Sequence, residues 1–540
     1  MTATREVVVV GGGHNGLVAA LRLARAGCQV TVVEQGREPG GCVWTERHRT
    51  GVLVERGAFE HGGVVAMATE LGLTDPGLGE AMLRYREHPV VAGFVFGDGE
   101  RRVFHTDLEQ TVADLGDDGP AYRGLVDLAA VLFDMLDTFD PPPTPTQIAA
   151  TLAPLRGGDE LFRTILLPAE TVLDTALTNR HTKAALALQA AHAQVPAWSP
   201  GTGLFALLLP ASHAGPAVRP IGGSRALIDA LVAALEREGA TIRTDATVVR
   251  IATSGSTPVP GKSGFGWSAR GDVALADGTV LEADAVVSAI GLPRTASLLD
   301  DPAPALRAAN EGLHSGHFNV SELTATLVLD RKIDLAFGDP DAIWYAVADP
   351  DDVRRGFGEV LAGQLPSSPW AMVAEIAQPD DVSGSAIWLS SVVPLCPADG
   401  PWTAKRERAA ADRVIDQVSS VLGLALRDGL VEVIVSGPST WATRIGGDGN
   451  PNHIDNTIDQ LLGWRAPGHA DMRTELDWLF LSGAGQHPGG GLSGAAGTAA
   501  ATAVLTPRTG RTGAFARLAG EVRGLKRGLA AYLKMRKARP

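Results

Sequence analysis

Glu6-Val7-Val8-Val9-Val10-Gly11-Gly12-Gly13-His14-Asn15-Gly16 is the stretch on which the fold turns. The run up to Val10 is mostly β-branched, as a buried parallel strand requires, and Gly11 to Gly16 spells G-x-G-x-x-G directly behind it. From Leu17 to Ala26 the apolar spacing is helical, Gly27 ends the helix, and Cys28 to Val33 reads as the next parallel strand. In such a βαβ unit the first glycine permits the tight turn, the second lets the backbone approach a diphosphate, and the third lets helix and strand pack. The helix N-terminus faces the anion. Glu34 closes the second strand about 20 residues on, where it can accept hydrogen bonds from a ribose. Gly11, Gly12, Gly13, His14, Asn15, Gly16 and Glu34 are therefore expected to hold a dinucleotide.

Gly40-Gly41 then follows Glu34 by only six and seven residues, with Trp44-Thr45, Gly51 and Glu55-Arg56-Gly57-Ala58 beyond. A glycine pair so placed lets the chain pass over a long extended cofactor instead of entering another helix, a spacing typical of FAD proteins. The other end of the chain carries Leu479-Phe480-Leu481-Ser482-Gly483-Ala484-Gly485-Gln486-His487-Pro488-Gly489-Gly490-Gly491-Leu492, running into an Ala-rich helix. Small residues at a strand end allow a flat ring to lie against the backbone, and the following helix points free N–H groups at negative charge.

These segments resemble the flavin amine oxidase superfamily and, within it, the phytoene desaturase branch. The opening shows the superfamily's glycine pair, although Cys42 stands where Arg or Lys usually follows, which leaves a basic contact to the diphosphate open. Ser199-Pro200-Gly201-Thr202-Gly203-Leu204, Pro220-Ile221-Gly222-Gly223-Ser224 and Ala283-Asp284-Ala285-Val286-Val287-Ser288-Ala289 look like the middle of the phytoene dehydrogenase-related proteins. Among these the sequence is similar to the group that includes pyridine nucleotide-disulfide oxidoreductase domain-containing protein 2. The resemblance covers roughly the first 65 residues, the stretch near 199 to 292 and that from about 440 to 505. It implies an α/β fold: an FAD-binding Rossmann-type domain (glutathione reductase-like/amine oxidase-like) interleaved with an α+β substrate domain and a helical insertion. It also implies noncovalent FAD, with Gly40, Gly41, Val248, Ala289, Gly483, Ala484, Gly485, Gly490, Gly491 and Leu492 joining the first motif as contacts. Val248 would touch the adenine through its backbone.

The 540 residues exceed what one core organises. The expected division is a discontinuous FAD-binding domain at 1–85, 218–300 and 470–507, a helical insertion at 86–217, a substrate domain at 301–469 and a tail at 508–540. The chain has a formal charge of −14, yet the tail alone is +9. That balance argues against nucleic acid as a partner. In the tail Phe515, Leu518, Val522, Leu525, Leu529 and Leu533 recur at helical spacing among Arg and Lys, so this basic amphipathic segment either lies on an anionic membrane or docks on the acidic body. Three scattered cysteines make neither a disulfide framework nor a metal site. With no apolar run of about 18 residues and a strand near the first residue, a cytoplasmic protein is expected, with the tail as its means of reaching the inner face of the membrane.

Hydride transfer is the reaction the resemblance implies, at a C–C bond (desaturation, saturation or isomerisation) of an apolar isoprenoid- or polyketide-like substrate, with oxygen or a quinone as electron acceptor. The rival is a flavin-dependent amine oxidase, which usually frames the amine with aromatic rings. Ala484-Gly485-Gln486 and only four tyrosines speak against it. A non-catalytic flavin-binding scaffold is the reading from another class. Leu207-Leu208-Leu209 either lines a hydrophobic tunnel or packs in the core. His453 and Asp455 are candidates for polar work at the substrate side or else loop residues; His487 is the third catalytic candidate, ahead of His14 and His61.

Overall fold

Leu479–Leu481, Ala285–Ser288, Glu6–Val10, Gln29–Val33 and Thr241–Arg243 lie side by side in that order as one parallel sheet. The computed structural model describes residues 4–507 except 59, 156, 192, 255–269, 334 and 336–341. The tail expected at 508–540 lies outside the described residues. Distant parts of the sequence thus share one sheet, in register Val8 with Val286 and Val286 with Leu479. The strands are apolar on both faces because both faces are covered. Helix His14–Arg25 packs on one face beside Arg225–Arg237 and Ala495–Leu505. A Cβ on Gly497 would collide with the carbonyl of Asn15, so a glycine lets these helices touch backbone to backbone. Against the other face lies an antiparallel sheet of Val248–Thr253, Gly271–Leu275 and Val280–Ala283.

A second sheet of seven strands runs Leu430–Ser436, Val320–Leu329, Ser385–Pro394, Ala371–Ile376, Trp344–Val347, Val90–Phe96, Arg101–His105. Its period-two alternation sorts the side chains of the long strand Val320–Leu329. Leu323, Ala325 and Leu327 pack under helix Ala404–Leu422, while Glu322 and Thr324 point the other way, toward the interior of the molecule. The helices of 108–211 cover much of that second face, with Phe94, Phe104, Tyr122 and Tyr345 at the junction.

The expectation of a helical insertion at 86–217 needs correcting at its start. Residues 90–105 are a β-hairpin whose first strand pairs in parallel with Trp344–Val347 and extends the substrate sheet; helices begin only at Leu108. The run Val90-Val91-Ala92-Gly93-Phe94-Val95-Phe96 is β-branched and aromatic, and its burial in a sheet follows from that. No helix among the described residues is long and apolar enough to cross a membrane.

Candidate active site

A cavity of about 1530 Å³ runs from the first glycine loop to the junction of the two sheets and the helical insertion. Small-molecule sites are usually nearer ~300–1,000 Å³, so there is room for an extended cofactor and a second molecule. Its floor is the βαβ turn: Gly11, Gly13, His14, Asn15 and Gly16 line it, with Glu34 at one end. No side chain caps helix His14–Arg25, so its first N–H groups are left for an anion. A Cβ on Gly16 would strike Gly11 O, and one on Gly41 would come within 3.2 Å of the Gly13 Cα. The Gly41 backbone is itself in the left-handed region at φ 58°. Glu34 accepts the N–H of Gly12 and of Gly36, both at 2.8 Å, which fixes its carboxylate at the rim where a ribose would lie. Val248, Ala289, Gly483, Ala484, Gly490, Gly491 and Leu492 also face the cavity.

Four residues expected at the site do not line it. Gly12 gives its space to Glu34 and Pro39, each 3.1 Å from where its Cβ would stand. Gly40 donates to Gly12 O at 2.9 Å and braces the glycine loop from behind. Gly485 packs on Gly291 and His453. Asp455 is turned away: its carboxylate accepts the N–H of Gly316 at 2.9 Å and of His317 at 2.7 Å, with Asn450 and His314 each at 3.4 Å. That carboxylate is already bound up in loop structure, so Asp455 is a strut and not a reacting group. Asn15 lines the cavity, but its Oδ1 accepts from Gly497 N–H at 3.3 Å, so its side chain serves helix packing.

His453 and His487 both line the cavity although they lie 34 positions apart. Burial, and then the guanidinium of Arg465, lower both to a pKa of about 4, so both rings are neutral at ordinary pH. His453 has a positive φ of 65° and presses Nδ1 against Gly291, where a Cβ would sit only 2.7 Å away. Its Nδ1 is buried with no partner, as is Nε2 of His14, whose pKa burial also lowers to about 4. Buried imidazole nitrogens without partners are what a polar ligand edge would satisfy. His61 is buried against Tyr85 and does not line the cavity.

The far end is an apolar chamber walled by Phe133, Leu136, Leu204, Phe205, Leu208, Met372, Trp388, Leu461 and Leu462. The leucine run divides: Leu208 faces the chamber, whereas Leu207 and Leu209 are core residues with 0% and 1% exposure. Among the polar groups here, Glu322 accepts a hydrogen bond from Ser390 Oγ, and Thr324 Oγ1 donates to Arg56 O at 2.8 Å. No described tyrosine lines the cavity. Cys42 does, and burial pushes its thiol up to about 12, so it is no thiolate. Sequence reasoning missed Glu322, Trp388 and Arg444. Strand alternation across 320–329 holds the signal for Glu322, but which face meets a cavity is not written in it.

The family described as flavin containing amine oxidoreductase matches residues 16–505. Hydroxyneurosporene desaturase of Cereibacter sphaeroides is 27% identical over 537 residues, covering 94% of this chain and 99% of that protein. Pyridine nucleotide-disulfide oxidoreductase domain-containing protein 2 of Mus musculus is 25% identical over 566 residues, covering 93% of each. An oxidoreductase from Methanosarcina mazei shares the fold, with a TM-score of 0.61 at 16% identity over 93% of this chain and 99% of that one.

Proposed function

This chain belongs to the flavin containing amine oxidoreductase family and is a flavin-dependent oxidoreductase; on that premise we propose that it holds FAD noncovalently and moves a hydride at a C–C bond of an apolar isoprenoid- or polyketide-like substrate. The observation that carries this is the continuity of one cavity, glycine-lined at one end and walled by Phe133, Phe205, Leu208 and Trp388 at the other. The similarity to a desaturase over nearly its whole length supports the C–C reading. The neutral Cys42 thiol supports a noncovalent bond, as no thiolate is on hand to attack the ring.

A bound flavin supplies the hydride acceptor or donor. The residues of this chain bind, orient and exclude water. The uncapped helix N-terminus and Gly13 to Gly16 would hold the diphosphate, Glu34 the ribose, and Val248 the adenine. Ala484, Gly490 and Gly491 give a flat surface for the ring. His453 and His487, neutral and within the cavity, can each take or give a proton at a ring nitrogen. The apolar wall keeps water from the reacting carbons.

A second reading, a flavin-dependent amine oxidase, is favoured by Glu322, whose carboxylate in the chamber would balance an ammonium. Aerobic turnover in the dark separates the two. Loss of two hydrogens from an isoprenoid supports the first, and ammonia with an aldehyde from a primary amine supports the second. Acid precipitation that leaves the yellow colour with the protein would overturn noncovalent binding. Oxygen and a quinone, offered in turn after photoreduction, identify the acceptor.

A further inference from the structure

We propose that Arg444, at the end of helix Pro438–Ile445, is the cation that balances the cofactor's diphosphate. The inference rests on the FAD reading above. Neither Gly11–Gly16 nor Gly40–Cys42 contains a Lys or Arg, and a helix N-terminus contributes only about half a positive charge. A cation brought from elsewhere in the fold would add to the attraction for a diphosphate held there.

Arg444 is brought to that place by tertiary contacts. Its Nε donates to Gly41 O at 2.7 Å, and its Nη2 is 3.8 Å from where a Gly40 Cβ would stand. Gly40 and Gly41 rest directly on the Gly12–Gly13 turn, so the guanidinium is one backbone layer from the helix N-terminus. Gln35 Nε2 donates to Arg444 O at 3.2 Å and fixes the helix end, and Arg444 lines the cavity together with Gly13, Gly41 and Cys42.

Its surroundings are those of a charge awaiting an anion. The guanidinium carbon is 4.0 Å from the ring centroid of Trp44, and that same ring carries Arg56 at 3.8 Å. Arg56 is matched by Glu46 at 3.4 Å and by hydrogen bonds to Ser436 Oγ and Val435 O. The contacts of the Arg444 guanidinium are a neutral carbonyl and an indole face. Burial disfavours its charged form most; Cys42, Glu34 and Glu46 favour that form, and the neighbouring Arg56 works against it. Two guanidinium groups on one indole repel each other, and a dianion in the adjacent cradle turns that cost into attraction.

The test uses the full chain stripped of flavin, with four probes: FAD, riboflavin, ADP and adenosine. In wild type, ADP should raise the melting temperature more than adenosine does. In Arg444→Gln the excess of ADP over adenosine should vanish while the adenosine shift stays. FAD affinity should fall roughly ten- to hundredfold with riboflavin affinity unchanged. Arg444→Lys, which keeps the charge but loses the bond to Gly41 O, should retain most of the ADP excess. The proposal is overturned if Arg444→Gln keeps the ADP excess, if ADP and adenosine weaken alike, or if Lys behaves like Gln. A wild-type chain that binds neither FAD nor ADP overturns the FAD reading itself.

Discussion

Arg465 grips the carbonyl oxygen of Ala484 with two N–H groups, Nε at 3.0 Å and Nη2 at 2.8 Å, while Nη1 donates to Asn456 Oδ1 at 2.6 Å. Nη2 also donates to Asn452 O at 3.0 Å. One fully buried side chain therefore ties the loop that carries His453 to the glycine loop that carries His487. Burial lowers its own pKa to about 10, with Asp455 working against the shift, so it stays charged. The planar fork is what the geometry needs, and a lysine cannot reproduce it.

Arg465→Lys is expected to melt several degrees lower and to bind FAD at least tenfold more weakly, because carbonyls and an amide lose buried donors. Arg465→Met removes the charge that lowers both histidines, so His453 and His487 should titrate at higher pH than in wild type. Proton NMR of the imidazole signals checks this, and unchanged titration would show that burial alone sets their values.

His453 and Asp455 should separate cleanly although they are two residues apart. His453→Ala is expected to cut turnover with little change in melting temperature, since its side chain lines the cavity and its Nδ1 makes no hydrogen bond that truncation would lose. Asp455→Ala is expected to cost about 3 kcal/mol of stability, as two backbone N–H groups lose a charged acceptor. A stable Asp455→Ala protein without turnover would return that residue to the chemistry.

The leucine run offers an internal control. Leu207→Ala and Leu209→Ala should each destabilise by roughly 2–5 kcal/mol, as core truncations do. Leu208→Trp should leave folding and FAD binding intact while raising KM, because it fills the chamber. Equal effects at all three positions would mean that the chamber does not receive substrate.

Stability should rise with pH across the weakly acidic range. His14, His453 and His487 are lowered to about 4, and His61 to about 3, from an ordinary 6.5. Below 6.5 the unfolded chain gains protons that the folded chain refuses, so each histidine takes away up to about 1.4 kcal/mol per pH unit as pH falls toward 4. Glu55 acts oppositely, since burial raises it to about 7 and its contribution is lost as pH rises from 4.5. Four groups outweigh one, and thermal unfolding between pH 4.5 and 6.5 should show the melting temperature climbing. A flat or falling profile would contradict the burial of these rings.

What the sequence by itself determined is local. Glu6–Val10, the glycine turn, helix His14–Arg25 and Glu34 follow from steric rules that act over a few residues, and so does the close packing of the small residues in Ala495–Leu505. What only the tertiary structure decided is which side chains from distant segments point into the space those elements leave. Arg444 reaches Gly41 across 403 positions, Arg465 joins two loops, Glu322 enters the chamber, and Asp455 turns out of it. Backbone geometry is set by neighbours in the chain, whereas the direction and charge state of a side chain are set by what is packed around it, and that is known only once the sheets have closed on each other.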